Sequence, residues 1–250
     1  MEKIIIKNSR KLKLVGDLYT SDSDKIIIMC HGFGYDRHEK ISKFDNIAEN
    51  FNRVGYNVLT FDFSGIGESD NDSLTVAKQI DDLQSVIKFA KGKNYQHIIL
   101  FGASLGGLIA FSAYDKDIKA IVAMAPVTDK VNSNWRHKNF TDEQLDEFNK
   151  TGQLIYKKAN GPREDLIIDR QYLLEREELN QKLLLRNINC PVLIMHSTDD
   201  DFIPLKVSKK AVEILGHKGE LYIIKEGGHA FLNHIDTVIN KTINWLSKKV

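Results

Sequence analysis

Cysteine and proline are scarce, two and four in 250 residues. Cys30 and Cys190 are too few for a disulfide framework, so a reducing cytoplasm is the expected setting. No apolar stretch approaches the roughly 18 residues of a membrane helix. The N-terminal Met-Glu-Lys-Ile-Ile-Ile-Lys has three apolar residues in a row, against about 7–15 in a secretory signal. Myristoylation and prenylation motifs are missing as well. Nor is there an excess of either charge: 35 basic and 34 acidic residues leave a net +1 and a pI near 7.7. That speaks against a nucleic-acid partner held by bulk charge. Internal repeats and low-complexity tracts are lacking. What remains is an ordinary globular composition, 42% hydrophobic and 28% charged. The length suits one large α/β domain, or at most two small ones, and a chain this long can bury roughly three quarters of its unfolded surface without disulfide or metal.

Strand-like and helix-like segments alternate. Residues 4–7 and 12–19 read as a hairpin. Residues 25–30, Lys-Ile-Ile-Ile-Met-Cys, form a continuous apolar run of the kind a strand buried on both faces requires. Helical spacing follows over 42–54, with Phe44, Ile47, Ala48 and Phe51 on one face and Gly55 as a stop. A strand at 57–61 precedes a helix at 75–90 whose Val76, Ile80, Leu83, Ile87 and Ala90 share a face. Then come a strand at 97–101, a small-residue helix at 105–114 and a strand at 118–123. From 128 to 189 the alternation breaks into polar, helix-rich sequence carrying Trp135, Phe140, Phe148, Tyr156 and Tyr172. It resumes with strands at 191–195 and 220–224 and helices at 206–215 and 230–246. Alternating β and α elements imply a mostly parallel sheet covered on both faces. The interruption is too long for a loop in such a unit. The expected organisation is a core of 1–127 and 190–250 with a helical cap, 128–189, inserted after the sixth strand.

The sharpest motif is Gly102-Ala103-Ser104-Leu105-Gly106-Gly107. It ends a strand and opens a helix, the context of a nucleophile elbow. Such a turn holds the serine in a strained backbone conformation and demands small neighbours, hence the glycines. It also sets the hydroxyl at a helix N-terminus, where N–H groups favour developing negative charge. The bland alternative is a glycine-rich turn with an idle serine. A serine nucleophile needs a base, and the base an orienter. Asp200, in Thr198-Asp199-Asp200-Asp201-Phe202-Ile203-Pro204, and His229, in Gly227-Gly228-His229-Ala230, supply them after the ends of later strands.

The remaining histidines and glycines carry less. His97 and His196 flank strand ends and read as structural. His38-Glu39 lacks the second histidine of a zinc site and reads as a solvated charge pair. Gly65-Ile66-Gly67 lacks the third glycine of a dinucleotide fingerprint and reads as a turn.

Along nearly its whole length the chain resembles the α/β-hydrolase superfamily. The pieces that carry the likeness are His31-Gly32-Phe33-Gly34, Phe61-Asp62-Phe63-Ser64-Gly65-Ile66-Gly67-Glu68-Ser69, the Ser104 elbow, the Asp200 segment and Gly228-His229. Within that superfamily it is most similar to bacterial feruloyl (cinnamoyl) esterases. The resemblance implies a catalytic Ser104, Asp200 and His229, in the chain order of the superfamily. Aligning Ile203-Pro204 on the family pattern selects Asp200 over Asp199 and Asp201, with Asp129 as the alternative after the sixth strand. Ser197 stands where the family usually has Gly. The oxyanion hole is assigned to the N–H groups of Phe33 and Leu105, and His31 to bracing the loop between them. In the family's strand order Cys30 and Cys190 lie three strands apart, about 14 Å at roughly 4.8 Å per strand, beyond the ~7 Å reach of a disulfide.

The implied activity is a carboxylesterase-type serine hydrolase acting on a small-molecule ester, a hydroxycinnamate (feruloyl-type) ester foremost, with no metal and no organic cofactor. A serine in the elbow argues against dehalogenases and epoxide hydrolases, which carry Asp there. Monoacylglycerol lipase, thioesterase and small acyl-peptide hydrolase remain as alternatives, as does a non-catalytic binding protein of this fold. No nucleic-acid partner and no membrane span are expected, and a homodimer is left open.

Overall fold

The computed structural model describes residues 1–131, 140–157, 163 and 165–250. Its centre is an eight-stranded sheet in the order β1-β2-β4-β3-β5-β6-β9-β10. The strands are β1 (Glu2–Lys7), β2 (Lys13–Tyr19), β3 (Lys25–Cys30), β4 (Asn57–Phe61), β5 (His97–Ala103), β6 (Ile118–Met124), β9 (Val192–Ser197) and β10 (Gly219–Ile224). β2 runs antiparallel to both its neighbours, and every other pairing is parallel. The expected mostly parallel sheet is therefore present.

Strand alternation explains why the apolar runs are unbroken. Ile26, Ile28 and Cys30 enter one core, packed under α2 (Val76–Gly92) and α3 (Leu105–Ser112). Ile27 and Met29 enter the other, with Phe44, Ile47 and Phe51 of α1 (Lys43–Arg53) and Trp245 of α8 (Ile235–Lys249). Successive side chains point to opposite faces, so a strand covered on both sides must be apolar throughout. α7 (Leu205–Leu215) links β9 to β10.

Between β6 and β9 lie α4 (Asp142–Thr151), β7 (Gln153–Lys157), β8 (Asp165–Asp169), α5 (Arg170–Glu177) and α6 (Gln181–Leu185). The helices were expected. The hairpin β7–β8 was not, and its five-residue strands are too short to stand out from helical spacing. Leu154, Leu166 and Ile168 are its buried side chains. Leu74 N–H donates to Ile167 O, and Asp169 N–H to Leu74 O, so the hairpin is docked on the loop before α2. Trp135 lies outside the described residues.

Cys30 ends β3 and Cys190 precedes β9, with β5 and β6 between them, and both are buried free thiols. Burial raises both thiols, Cys190 to about 12, so neither is an activated nucleophile. Among the described residues no helix is long and apolar enough to cross a membrane.

Candidate active site

The parallel register brings the ends of β3, β5, β9 and β10 to one edge of the sheet. Cys30 pairs with Gly102, Ala103 with Met124, Met124 with Met195, and Ser197 with Ile224. The next residues of each chain segment build the site.

Ser104 follows β5 with φ 52° and ψ −113°, a conformation costing about 1–3 kcal/mol outside glycine. It is held there by its own backbone: Ser104 N–H donates to Met124 O at 2.9 Å, and its carbonyl accepts from Gly107 and Val127. Each elbow glycine has a reason in close approach. A Cβ on Gly102 would lie 2.5 Å from Gly106 O, one on Gly106 would lie 2.7 Å from His31 O and nearer still to Cys30 O, and one on Gly107 would lie 2.6 Å from Pro126 Cβ. At Gly106 the obstacles are backbone atoms of a central strand end and cannot step aside. Gly106→Ala should therefore destabilise the fold by about 1–3 kcal/mol, lowering the thermal midpoint by roughly 2–4 °C per kcal/mol. Gly92→Ala, with open space around its Cβ, is the control and should melt at or slightly above the parent. Equal midpoints for the two variants would contradict this close approach.

His229 joins the predicted residues into a chain. Its Nδ1 lies 2.8 Å from Asp200 Oδ2 and its Nε2 3.0 Å from Ser104 Oγ. Asp200 Oδ1 accepts from Phe202 N–H and Ile203 N–H, both at 2.9 Å. Burial pushes the Asp200 carboxyl up, but hydrogen bonds from His196 and His229 and the charge of His229 outweigh it. The group sits well below the usual carboxylate range. The alternative acid, Asp129, faces Lys210 at 3.8 Å instead. Asp199 accepts from Gly228 N–H at 3.0 Å and from Ser197 Oγ, and Asp201 is exposed.

Ser197, which departs from the family glycine, has a visible role. Its hydroxyl accepts Gly227 N–H at 2.8 Å while donating to Asp199. Ser197 and Asp199 thus staple the Asp200 loop to the His229 loop. Phe202, 72% exposed, lays its ring 5.2 Å from the His229 ring.

On the opposite side the loop after β3 abuts the elbow, a Cβ on Gly32 falling 3.6 Å from Ser104 Cβ. Among the described residues neither Phe33 N–H nor Leu105 N–H has a protein acceptor. His31 braces this loop as expected: buried, it meets Gly32 O with Nδ1 at 3.0 Å and accepts Phe63 N–H at Nε2. These partners fix the tautomer with the proton on Nδ1.

Two supports went unread in the sequence. Glu39 is not solvated: its buried carboxylate accepts Gly32 N–H at 2.5 Å and pairs with buried Lys43 at 3.4 Å. Lys43 also reaches Ala230 O at 3.4 Å, tying the Gly32 loop to the His229 loop. His38 pairs with Asp45 at 2.8 Å, so the expected solvated charge pair is two separate contacts. Buried Arg37 is gripped by Asp62 at 2.7 Å and Asp17 at 2.6 Å, and Asp62 also accepts Glu68 N–H beside the Gly65–Gly67 turn. The signals are present as residue types, but the partners stand up to 187 residues apart and no local pattern joins them.

Aromatics of the inserted segment reach the same loop. Tyr156 and Tyr172 each have ring centroids 5.6 Å from Phe33, the latter stacked, and Phe140 contacts Tyr156 at 6.4 Å. Phe148 instead packs under the Arg170 guanidinium in the core.

Comparison with known proteins speaks to family and fold. The Hydrolase_4 family, described as serine aminopeptidase, S33, matches residues 21–160, more than half of the chain. An uncharacterised 31.7 kDa protein of the traX-finO intergenic region of Escherichia coli is 29% identical over 218 residues, 74% of this chain and 75% of that protein. The human mitochondrial palmitoyl-protein thioesterase ABHD10 is 26% identical over 212 residues, 81% of this chain and 67% of its own. Est1E from Butyrivibrio proteoclasticus, solved with ferulic acid bound, superposes with a TM-score of 0.80 at 20% identity over 98% of both chains. At that identity the likeness is one of fold.

Proposed function

Because the chain belongs to the Hydrolase_4 family (serine aminopeptidase, S33) of α/β-hydrolases, we propose that it is a serine hydrolase cleaving a carboxylic ester through an acyl-enzyme on Ser104. The observation that carries the reading is the hydrogen-bonded chain Asp200–His229–Ser104 beside two N–H groups without protein acceptors among the described residues. His229 Nε2 takes the Ser104 proton as Oγ attacks the acyl carbon. Phe33 and Leu105 N–H groups receive the oxyanion, in a preorganised arrangement that costs no reorganisation during the reaction. His229, its Nδ1–H held by Asp200, then protonates the leaving group, and water repeats the sequence on the acyl-enzyme. Because the Asp200 carboxyl is held below its usual range, it stays ionised across the working pH.

The substrate is read from the wall facing the elbow. Phe33, Tyr156, Tyr172 and Phe140 form a continuous aromatic cluster; Tyr172 and Phe140 are buried in it, and the part-exposed Phe33 and Tyr156 are its faces toward a substrate. It supports an aromatic acyl group of the hydroxycinnamate type, with the inserted segment 128–189 as the specificity element. A hydrolysis panel tests this: methyl ferulate, short p-nitrophenyl esters, a monoacylglycerol and an acyl-CoA. Methyl ferulate should be turned over at least as fast as a long-chain ester. Replacing 128–189 by a Gly/Ser linker should raise KM and reorder the panel while fluorophosphonate labelling of Ser104 survives. A folded linker variant with the parental ranking would remove the segment from specificity. The likeness to a palmitoyl-protein thioesterase favours a second reading, a long-chain thioester, which a clear win for the acyl-CoA would establish in place of the first.

A further inference from the structure

The carboxylate of Asp200 is shared by two histidines. His196, fully buried, lies with Nε2 3.3 Å from Asp200 Oδ2, the same oxygen that meets His229. Nε2 is also 2.8 Å from Ile203 O. Both neighbours are acceptors, so Nε2 carries a proton. On the far side of the ring, Nδ1 is 2.7 Å from the Oγ of Ser208, a fully buried residue of α7. No other acceptor for the Ser208 hydroxyl is found among the described residues, so it donates to Nδ1 and the ring is neutral. The Nε2–H bonds Ile203 O and has Asp200 Oδ2 as a second, longer contact, so Ser208, His196, Asp200, His229 and Ser104 form one contiguous polar path with Asp200 at its centre.

The geometry points to His196 and Ser208 as positioning residues of the proposed hydrolase: Ser208, donating to Nδ1, fixes the ring in the Nε2–H tautomer that Ile203 O and Asp200 require, and that N–H faces Asp200 Oδ2 and draws charge from it. This inference rests on the serine-hydrolase reading above. A carboxylate oxygen that accepts one ring N–H and faces a second at 3.3 Å is held in orientation. It is also a weaker base toward His229 than a free one would be. Removing the His196 donor leaves more charge on Oδ2 for His229 and stabilises its imidazolium. The acid limb of kcat/KM then moves to higher pH.

The other charges around this path are accounted for. On the Asp200 loop, Asp199 is engaged by Ser197 and Gly228, and Asp201 is exposed. On α7, Lys206, Lys209 and Lys210 are exposed, Lys210 lying 3.8 Å from Asp129. Beyond β10, Lys225 and Glu226 are exposed. From α1, Lys43 approaches Ala230 O but is paired with Glu39. Among the described residues, the titratable side chains bonded to Asp200 are the two histidines.

The test is a pH profile of p-nitrophenyl ester hydrolysis by the full chain. Ser208→Ala should raise the acid limb of kcat/KM by roughly half a pH unit, the scale of one hydrogen bond, and lower kcat several-fold at unchanged KM. His196→Leu should shift it further. His196→Gln, whose amide can donate to Asp200 and accept from Ser208, should stay near the parent. Should His196→Leu fail to fold, Ser208→Ala and the imidazole ¹⁵N spectrum of the parent carry the test. That spectrum should show His196 protonated on Nε2. Parental acid limbs in Ser208→Ala and in every folded His196 variant, or a proton on Nδ1 in the parent, would overturn the inference. Failure of the underlying reading looks different: the parent would turn over no ester, or fluorophosphonate would still label Ser104→Ala.

Discussion

Ser104→Ala should fold like the parent and lose ester turnover, kcat falling by roughly 10⁶. What remains, about 10³–10⁴ over water, comes from the oxyanion donors and binding alone. The expectation follows from how the residue is held. Its backbone is fixed by Met124 O, Gly107 N–H and Val127 N–H, none of which needs the hydroxyl. The hydroxyl's partner is His229 Nε2. Alanine therefore keeps the elbow, its positive φ and the neighbouring N–H groups, and removes the attacking atom. Binding of a slowly cleaved ester should be little changed, and the melting temperature should stay close to the parent's. Fluorophosphonate labelling that persists in this variant would refute the assignment of Ser104, whatever the loss of rate.

Much of this arrangement is legible in the chain because it is local. The apolar runs at 25–30, 57–61 and 97–103 are strands since both faces of the sheet are covered, and that demand is written in each run. The elbow is legible because a strained serine needs small neighbours one to three residues away. Other features depend on distant partners. Glu39 acquires its meaning from Gly32 and Lys43, Arg37 from Asp17 and Asp62, and His196 from Ser208. Their residue types fit a solvated surface or a strand end equally well. The last helix shows a third kind of failure. Its apolar spacing extends back to Ala230, yet α8 begins at Ile235. Phe231 takes φ 56° and accepts His234 N–H, closing a turn. A helix begun at Ala230 would make His229 its N-cap, in place of the loop from which it reaches both Asp200 and Ser104.

Asp200→Asn should lower kcat by about 10⁴ with the fold intact, and the hydrogen bonds at Asp200 explain why the loss is so large. Oδ1 accepts from two backbone N–H groups, Phe202 and Ile203, and Oδ2 accepts from His229 and faces the His196 Nε2–H at 3.3 Å. Every neighbour is a donor. An amide brings only one acceptor oxygen and adds two donors. If that oxygen stays with Phe202 and Ile203, the NH₂ group confronts both histidines. His229 must then offer a lone pair from Nδ1, which places its proton on Nε2 against Ser104 and leaves it unable to act as base. If the oxygen turns to His229 instead, two buried backbone N–H groups lose their acceptor, at about 1–3 kcal/mol each. The first arrangement spares the fold and forfeits the rate. Asp199→Asn should cost far less, since its acceptor role toward Gly228 N–H survives in an amide oxygen, and Asp201→Asn, an exposed change, should be near neutral. Steady-state rates for the three variants decide the matter. A severe loss at Asp199 or Asp201 with a mild one at Asp200 means the alignment on Ile203-Pro204 is off by a position. Three mild losses mean that the acid lies outside this loop.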